Sequence, residues 1–146
     1  MKSTKLPRRI LVVDDYRDAT DSLVMILQTL GHRARAAYDG QSALLISAQF
    51  HPEVVLLETC MSGMNGYEMA KRMRDQAINP PLAFVAISGR ARPEDVSRSQ
   101  EAGFDGHLVK PMDYELFEQA LARCERVFAT HQSTTAGKDG RASGEL

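Results

Sequence analysis

The chain has no tryptophan, only two cysteines, and aromatic residues at just 6% of its 146 positions. Its apolar content, 43%, is mostly aliphatic and is enough to build one sizeable core. Cys60 and Cys124 lie far apart and lack metal-ligand spacing, which argues against a disulfide scaffold or a zinc site and leaves two free thiols. No stretch approaches the roughly 18 apolar residues that a spanning helix needs. Met1 to Arg9 is polar and basic with no apolar segment behind it, so a cytoplasmic protein is expected. Charge of one sign is lacking too: 18 Lys and Arg face 19 Asp and Glu, a net charge of -1. That balance gives no electrostatic reason to expect nucleic acid or an anionic membrane as partner, and points to protein. There is no internal repeat and no sign of a second domain.

What is present alternates between two periodicities. Ile10 to Val13, Val54 to Leu57 and Leu82 to Ile87 are continuous apolar runs, the mark of parallel strands covered on both faces. Between them lie helical patterns. Ala19, Leu23, Ile26, Leu27 and Leu30 place a helix over Tyr16 to Leu30, stopped by Gly31. Arg33 to Tyr38 reads as a weaker strand, and Gly40 to Gln49 as a helix burying Ala43, Leu44 and Ala48 before Pro52. Asn65 to Gln76 and Pro93 to Ala102 are expected helices, and Asp105 to Val109 a fifth strand. Asp113 reads as the N-cap of a last helix whose inner face carries Leu116, Phe117, Ala120, Leu121, Cys124 and Phe128. Five βα units predict an α/β fold, a doubly wound five-stranded parallel sheet of flavodoxin-like order. Residues 9–128 form the expected domain, 1–8 an N-terminal extension, and 129–146 a polar tail expected to be disordered.

In such a sheet chemistry gathers at the carboxyl ends of the strands. Those ends deliver Asp14 and Asp15, then Glu58, then Ser88, then Lys110 followed by Pro111. Crowded carboxylates repel unless a cation compensates, and hard oxygen donors suit Mg²⁺, so a divalent ion among Asp14, Asp15 and Glu58 is expected.

This constellation resembles the receiver domain of two-component response regulators. The resemblance rests on Val12-Val13-Asp14-Asp15, on Leu56-Leu57-Glu58 with Met61, Met64, Asn65 and Gly66 at the family's offsets, on Ala86-Ile87-Ser88-Gly89, and on Val109-Lys110-Pro111. It implies a stand-alone signalling module, not an enzyme, to which a histidine kinase or phosphotransfer protein passes a phosphoryl group and which then docks on a downstream protein. It implies further that Mg²⁺ is held by Asp15, the carboxylate at position 58 and the backbone carbonyl of Cys60, with Asp14 assisting. Lys110 would neutralise oxyanion charge and Ser88 would move toward the phosphoryl group, with His107 at the family's aromatic switch position. A cis peptide is implied between Lys110 and Pro111, where the penalty is small. The implied assembly is a monomer or weak homodimer.

Two positions depart from the family. Its acceptor is Asp where this chain has Glu58, and a proline is common where this chain has Ser62. Phosphoryl transfer depends on in-line placement, and a displacement of about 1 Å costs on the order of 10²-fold in rate. Glu58 therefore predicts a site that accepts phosphate poorly or not at all, and that is either partly phosphomimetic or inert. Two other classes stay open: a pseudo-receiver that binds partners without phosphate control, and an Mg²⁺-dependent phosphohydrolase. The latter wants a nucleophile and an acid/base two positions apart, and Asp14-Asp15-Tyr16 does not supply that spacing.

Overall fold

The computed structural model describes residues 7–61, 63–76, 81, 83–89, 92–113 and 115–125. Strands β1 (Arg9–Val13), β2 (Arg33–Ala37), β3 (Val54–Glu58), β6 (Ala83–Ser88) and β7 (Gly106–Val109) make one parallel sheet in the order β2-β1-β3-β6-β7. Between β3 and the next helix, β4 (Cys60–Met61) and β5 (Met64–Asn65) form a small antiparallel ladder. Helices α1 (Arg17–Thr29), α2 (Gly40–Phe50), α3 (Gly66–Gln76) and α4 (Pro93–Glu101) connect the strands, and α5 (115–125) follows β7. This is the α/β, doubly wound, flavodoxin-like architecture expected from the sequence.

Because successive strand residues point to opposite faces, the central strands sort their side chains into two cores. Ile10, Val12, Leu56 and Val85 pack on one side with Leu27 of α1 and with Phe117, Ala120, Leu121 and Cys124 of α5. Leu11, Val13, Val55, Leu57 and Phe84 pack on the other with Ala43 of α2 and with Met69, Ala70 and Met73 of α3. Every residue of β3 and β6 is buried, which explains why these strands read as unbroken apolar runs.

The helices differ from the sequence reading in phase. On α1 the exposed residue is Ala19 and the buried one is Thr20; on α2 Ser47 is buried and Ala48 exposed. Leu116 of α5 is half exposed, and Phe128 lies outside the described residues, as does the expected disordered tail. In each case apolar spacing alone fits two neighbouring phases, and contact with the sheet selects one. Thr20 can take the inner position because its hydroxyl donates to the carbonyls of Tyr16, at 2.7 Å, and Asp14, at 3.1 Å. Asp113 caps α5 as expected, accepting from the backbone amides of Glu115 at 2.8 Å and Leu116 at 3.3 Å.

At the amino ends of the strands Arg8, assigned to the extension on sequence, is woven into the fold. Its guanidinium pairs with Glu53, at 3.0 Å, and with Glu125 of α5. Its backbone N–H donates to Nδ1 of buried His32 at 3.0 Å. Desolvation, reinforced by the charge of Arg8 and opposed by Glu118 and Glu125, holds the His32 imidazole below its ordinary value of 6.5. A lowered His pKa means that the unfolded chain binds the proton first, so stability is complete above 6.5 and falls as pH drops below it toward the folded value. Urea unfolding on either side of that value is expected to show this loss, and His32→Asn, whose carbonyl can accept the same N–H, is expected to reduce it. An identical pH dependence in the variant would remove His32 from this role.

Candidate functional site

Four strand ends bring their residues together as the topology requires. Val13 and Leu57 are partners across β1 and β3, so Asp14 and Glu58 emerge side by side, one residue further along. Both are nearly excluded from solvent, with side chains 3% and 8% exposed. Lys110, directly after β7, extends its ammonium between them: Nζ lies 2.6 Å from Oδ2 of Asp14 and 2.6 Å from Oε1 of Glu58. The peptide that follows it, Lys110-Pro111, is cis.

The remaining oxygens of the two carboxylates are also engaged. Oδ1 of Asp14 accepts from the amide of Tyr16 at 3.1 Å, and Oε2 of Glu58 accepts from the amide of Cys60 at 3.2 Å. Every carboxylate oxygen of the pair thus has a protein donor, and one cation is shared between two anions. For Lys110, desolvation lowers the ammonium pKa, but hydrogen bonds and charge from Asp14 and Glu58 outweigh it, and the net direction is upward from 10.5. One positive charge is therefore set between two carboxylates, and the protein offsets half of their charge by itself.

Asp15, by contrast, stands at the surface beside this cluster. Among the described residues no three His, Cys, Asp or Glu side chains are grouped so as to hold a metal ion. Mg²⁺ does not need such a cage, since it typically binds through one or two carboxylates and keeps several waters. The hard oxygens of Asp14, Asp15 and Glu58 and the backbone carbonyl of Cys60 are of the type it takes, with Lys110 as the competing cation.

Ser88 and His107 meet across β6 and β7, Ser88 Oγ lying 2.8 Å from His107 Nε2. On the other side of the ring, Nδ1 is 3.0 Å from Oγ of Ser99 on α4. The sequence reading singled out Ser88 and His107 but missed Ser99, which is 1% exposed. Its only signal was a position three residues after Val96 on a helix that otherwise reads as polar. Charges at the start of α4 and along it also line the site. Arg92, Asp95 and Arg98 border a cleft of about 660 Å³ together with Glu58, Cys60 and Ser88. Arg98 lies over the ring of Tyr67 at 4.6 Å.

Cysteine behaves as its spacing implied. Both thiols are free, Cys60 exposed at the cleft and Cys124 buried on the inner face of α5, where desolvation first and the charge of Asp105 next push its pKa up to about 12. Met61, Met69 and Met73 are buried fillers; Ser62 lies outside the described residues.

The end of β3 at Glu58 and Thr59 is closely approached by Gly66, the first residue of α3. A Cβ there would stand 2.6 Å from the carbonyl oxygen of Glu58 and 2.7 Å from Cα of Thr59, both backbone atoms that cannot rotate away. Gly66 N–H also donates to Thr59 O at 3.3 Å. Only glycine lets the helix start approach the strand end this closely.

A doubly wound sheet that gathers acidic strand ends, a hydroxyl and a lysine before a cis proline defines a receiver-type signalling module. The chain belongs to the response regulator receiver domain family, whose match covers residues 10–122. It is 32% identical over 125 residues to the sensor histidine kinase RcsC of Escherichia coli strain K12, covering 85% of this chain but 13% of that protein. It is 32% identical over 118 residues to the virulence sensor protein BvgS of Bordetella bronchiseptica, covering 77% of this chain and 10% of that protein. The chain thus spans a small part of these relatives. Among solved structures, Vibrio cholerae chemotaxis protein CheY4 superposes with a TM-score of 0.70 at 26% identity, covering 82% of this chain and 99% of that one.

Gly66→Ala is expected to lower stability by about 2 kcal/mol, the range for an overpacked site. The amide resonances of Thr59 and Cys60 should move with it. Wild-type stability with unmoved resonances would show that the loop has room the geometry denies.

Proposed function

We propose that this chain is a receiver of two-component phosphorelay signalling whose acceptor position is filled by Glu58 and closed by Lys110, so that as written it takes up a phosphoryl group poorly or not at all. The observation that carries this reading is the shared ammonium, 2.6 Å from both Asp14 and Glu58. An acceptor carboxylate must present an oxygen in line with the donor's phosphorus. Here one oxygen of Glu58 is bound to Lys110 and the other to the amide of Cys60, and the extra methylene moves the carboxylate relative to an Asp. A displacement of about 1 Å is worth on the order of 10²-fold in rate.

The same contact makes Glu58 a weak stand-in for a phosphoryl group. It brings Lys110 one negative charge where a phosphate brings nearly two. Reversing a two-state population from 1:99 to 99:1 takes about 5.5 kcal/mol, more than this substitution supplies. The switch is therefore biased and not thrown. Mg²⁺, when held by Asp14, Asp15, Glu58 and the carbonyl of Cys60, supplies neutralisation of charge on a transferring phosphoryl group.

The partner is a histidine kinase or phosphotransfer protein. The likeness to segments of two sensor proteins, one of them named a sensor histidine kinase, supports this. A downstream protein target completes the pathway.

Incubation with acetyl phosphate, with and without Mg²⁺, tests the reading. Glu58→Asp should gain a stoichiometric, Mg²⁺-dependent acyl phosphate, with the chain as written about 10²-fold slower or silent. Rapid stoichiometric labelling of Glu58 itself would sink the proposal. Failure of Glu58→Asp to label would instead make the chain an interaction module without phosphate control.

A further inference from the structure

His107 joins two hydroxyls that belong to different elements and face different spaces. Ser88, at the end of β6, lines the cleft beside Glu58, while Ser99, on α4, lines a second cavity of about 290 Å³ with His107, Asp105 and Arg123. The contacts are 2.8 Å at Nε2 and 3.0 Å at Nδ1, so both ring nitrogens are used. A neutral imidazole carries one N–H and one bare nitrogen, so the two serines must play opposite parts. If Nε2 carries the proton, Ser88 accepts from it and Ser99 donates to Nδ1. If Nδ1 carries it, Ser99 accepts and the proton of Ser88 is spent on Nε2.

The surroundings decide between these. Both serines are buried, but Ser99, 1% exposed against 5% for Ser88, is the more deeply shut off, and a buried O–H needs an acceptor. The bare Nδ1 offers one. Ser88 borders the larger of the two spaces, which also holds Glu58, so its proton has another acceptor to turn to. We propose that Ser99 sets the tautomer of His107 and thereby aims the proton of Ser88 into the cleft, making Ser99 and His107 positioning residues for Ser88. The chain of contacts runs from α4 through β7 to the end of β6. A change at either serine is therefore felt at the other through the ring.

This rests on the receiver reading only in giving Ser88 an oxyanion to meet. The tautomer itself requires neither phosphate nor metal, so its measurement stands apart from the labelling assay. The test uses the full chain with ring-¹⁵N histidine, observed by long-range ¹H–¹⁵N correlation at a pH well above the ordinary histidine range. His107→Phe assigns the signal among the four histidines. The wild type should show the Nε2–H tautomer. Ser99→Ala should shift the population toward Nδ1–H, and Ser99→Thr, which keeps a hydroxyl, should restore it. An Nδ1–H wild type, or a tautomer indifferent to Ser99→Ala, overturns the proposal. A second readout guards against simple repacking: Ser88→Ala should move the Ser99 amide resonance in the wild type and leave it still in a His107→Phe background. An equal shift in both backgrounds would route the coupling elsewhere and contradict the role of His107.

Discussion

One ammonium shared by two buried carboxylates organises the site. Two anions at neighbouring strand ends would repel each other and would be costly to desolvate; Lys110 between them makes their burial tolerable. Much of the surrounding geometry serves that contact. The sheet register sets Asp14 beside Glu58, the β6–β7 pairing brings Lys110 to the same end of the sheet, and Gly66 lets the loop fold tightly behind Glu58. Removing either carboxylate leaves Lys110 with half its partners; removing Lys110 leaves two anions facing each other.

The two carboxylates are therefore partly compensated from within the chain, and this bears on what the site can accept. On the proposed reading, an incoming cation would compete with Lys110 for oxygens that are already bonded, and a phosphoryl group would have to bond to a carboxylate oxygen that Lys110 or the Cys60 amide already holds. An Asp at position 58 would reach less far. On the proposed reading, the difference between a receiver that switches and one that is held is a matter of reach, since charge is the same in Asp and Glu.

Much of this was legible in the sequence, and what was not has a physical cause. The unbroken apolar runs of β3 and β6 announced a sheet buried on both faces, and their polar last residues, Glu58 and Ser88, pointed to the cleft that both border. The cap at Asp113 was readable because its chemistry is local. Helix phase was not, because Thr20 and Ser47 take inner positions that hydropathy assigns to Ala19 and Ala48. A hydroxyl that bonds its own helix or a neighbouring ring can be buried cheaply, and no periodicity shows it. Ser99 escaped for the same reason: its partner, His107, lies eight residues on in another element and meets it only once α4 packs against β7. Arg8 escaped because both its acidic partners lie far along the chain.

The most direct measurement is the titration of the Lys110 ammonium, followed by NMR at its side-chain nitrogen. With desolvation outweighed by Asp14 and Glu58, the ammonium should hold its proton above 10.5, and Glu58→Gln should move that titration down. The sign for stability follows: a raised lysine contributes stability that is complete below 10.5 and is lost as pH rises through the folded value. A Lys110 that titrates at or below 10.5, unmoved by Glu58→Gln, would contradict a shared ammonium as the centre of this site.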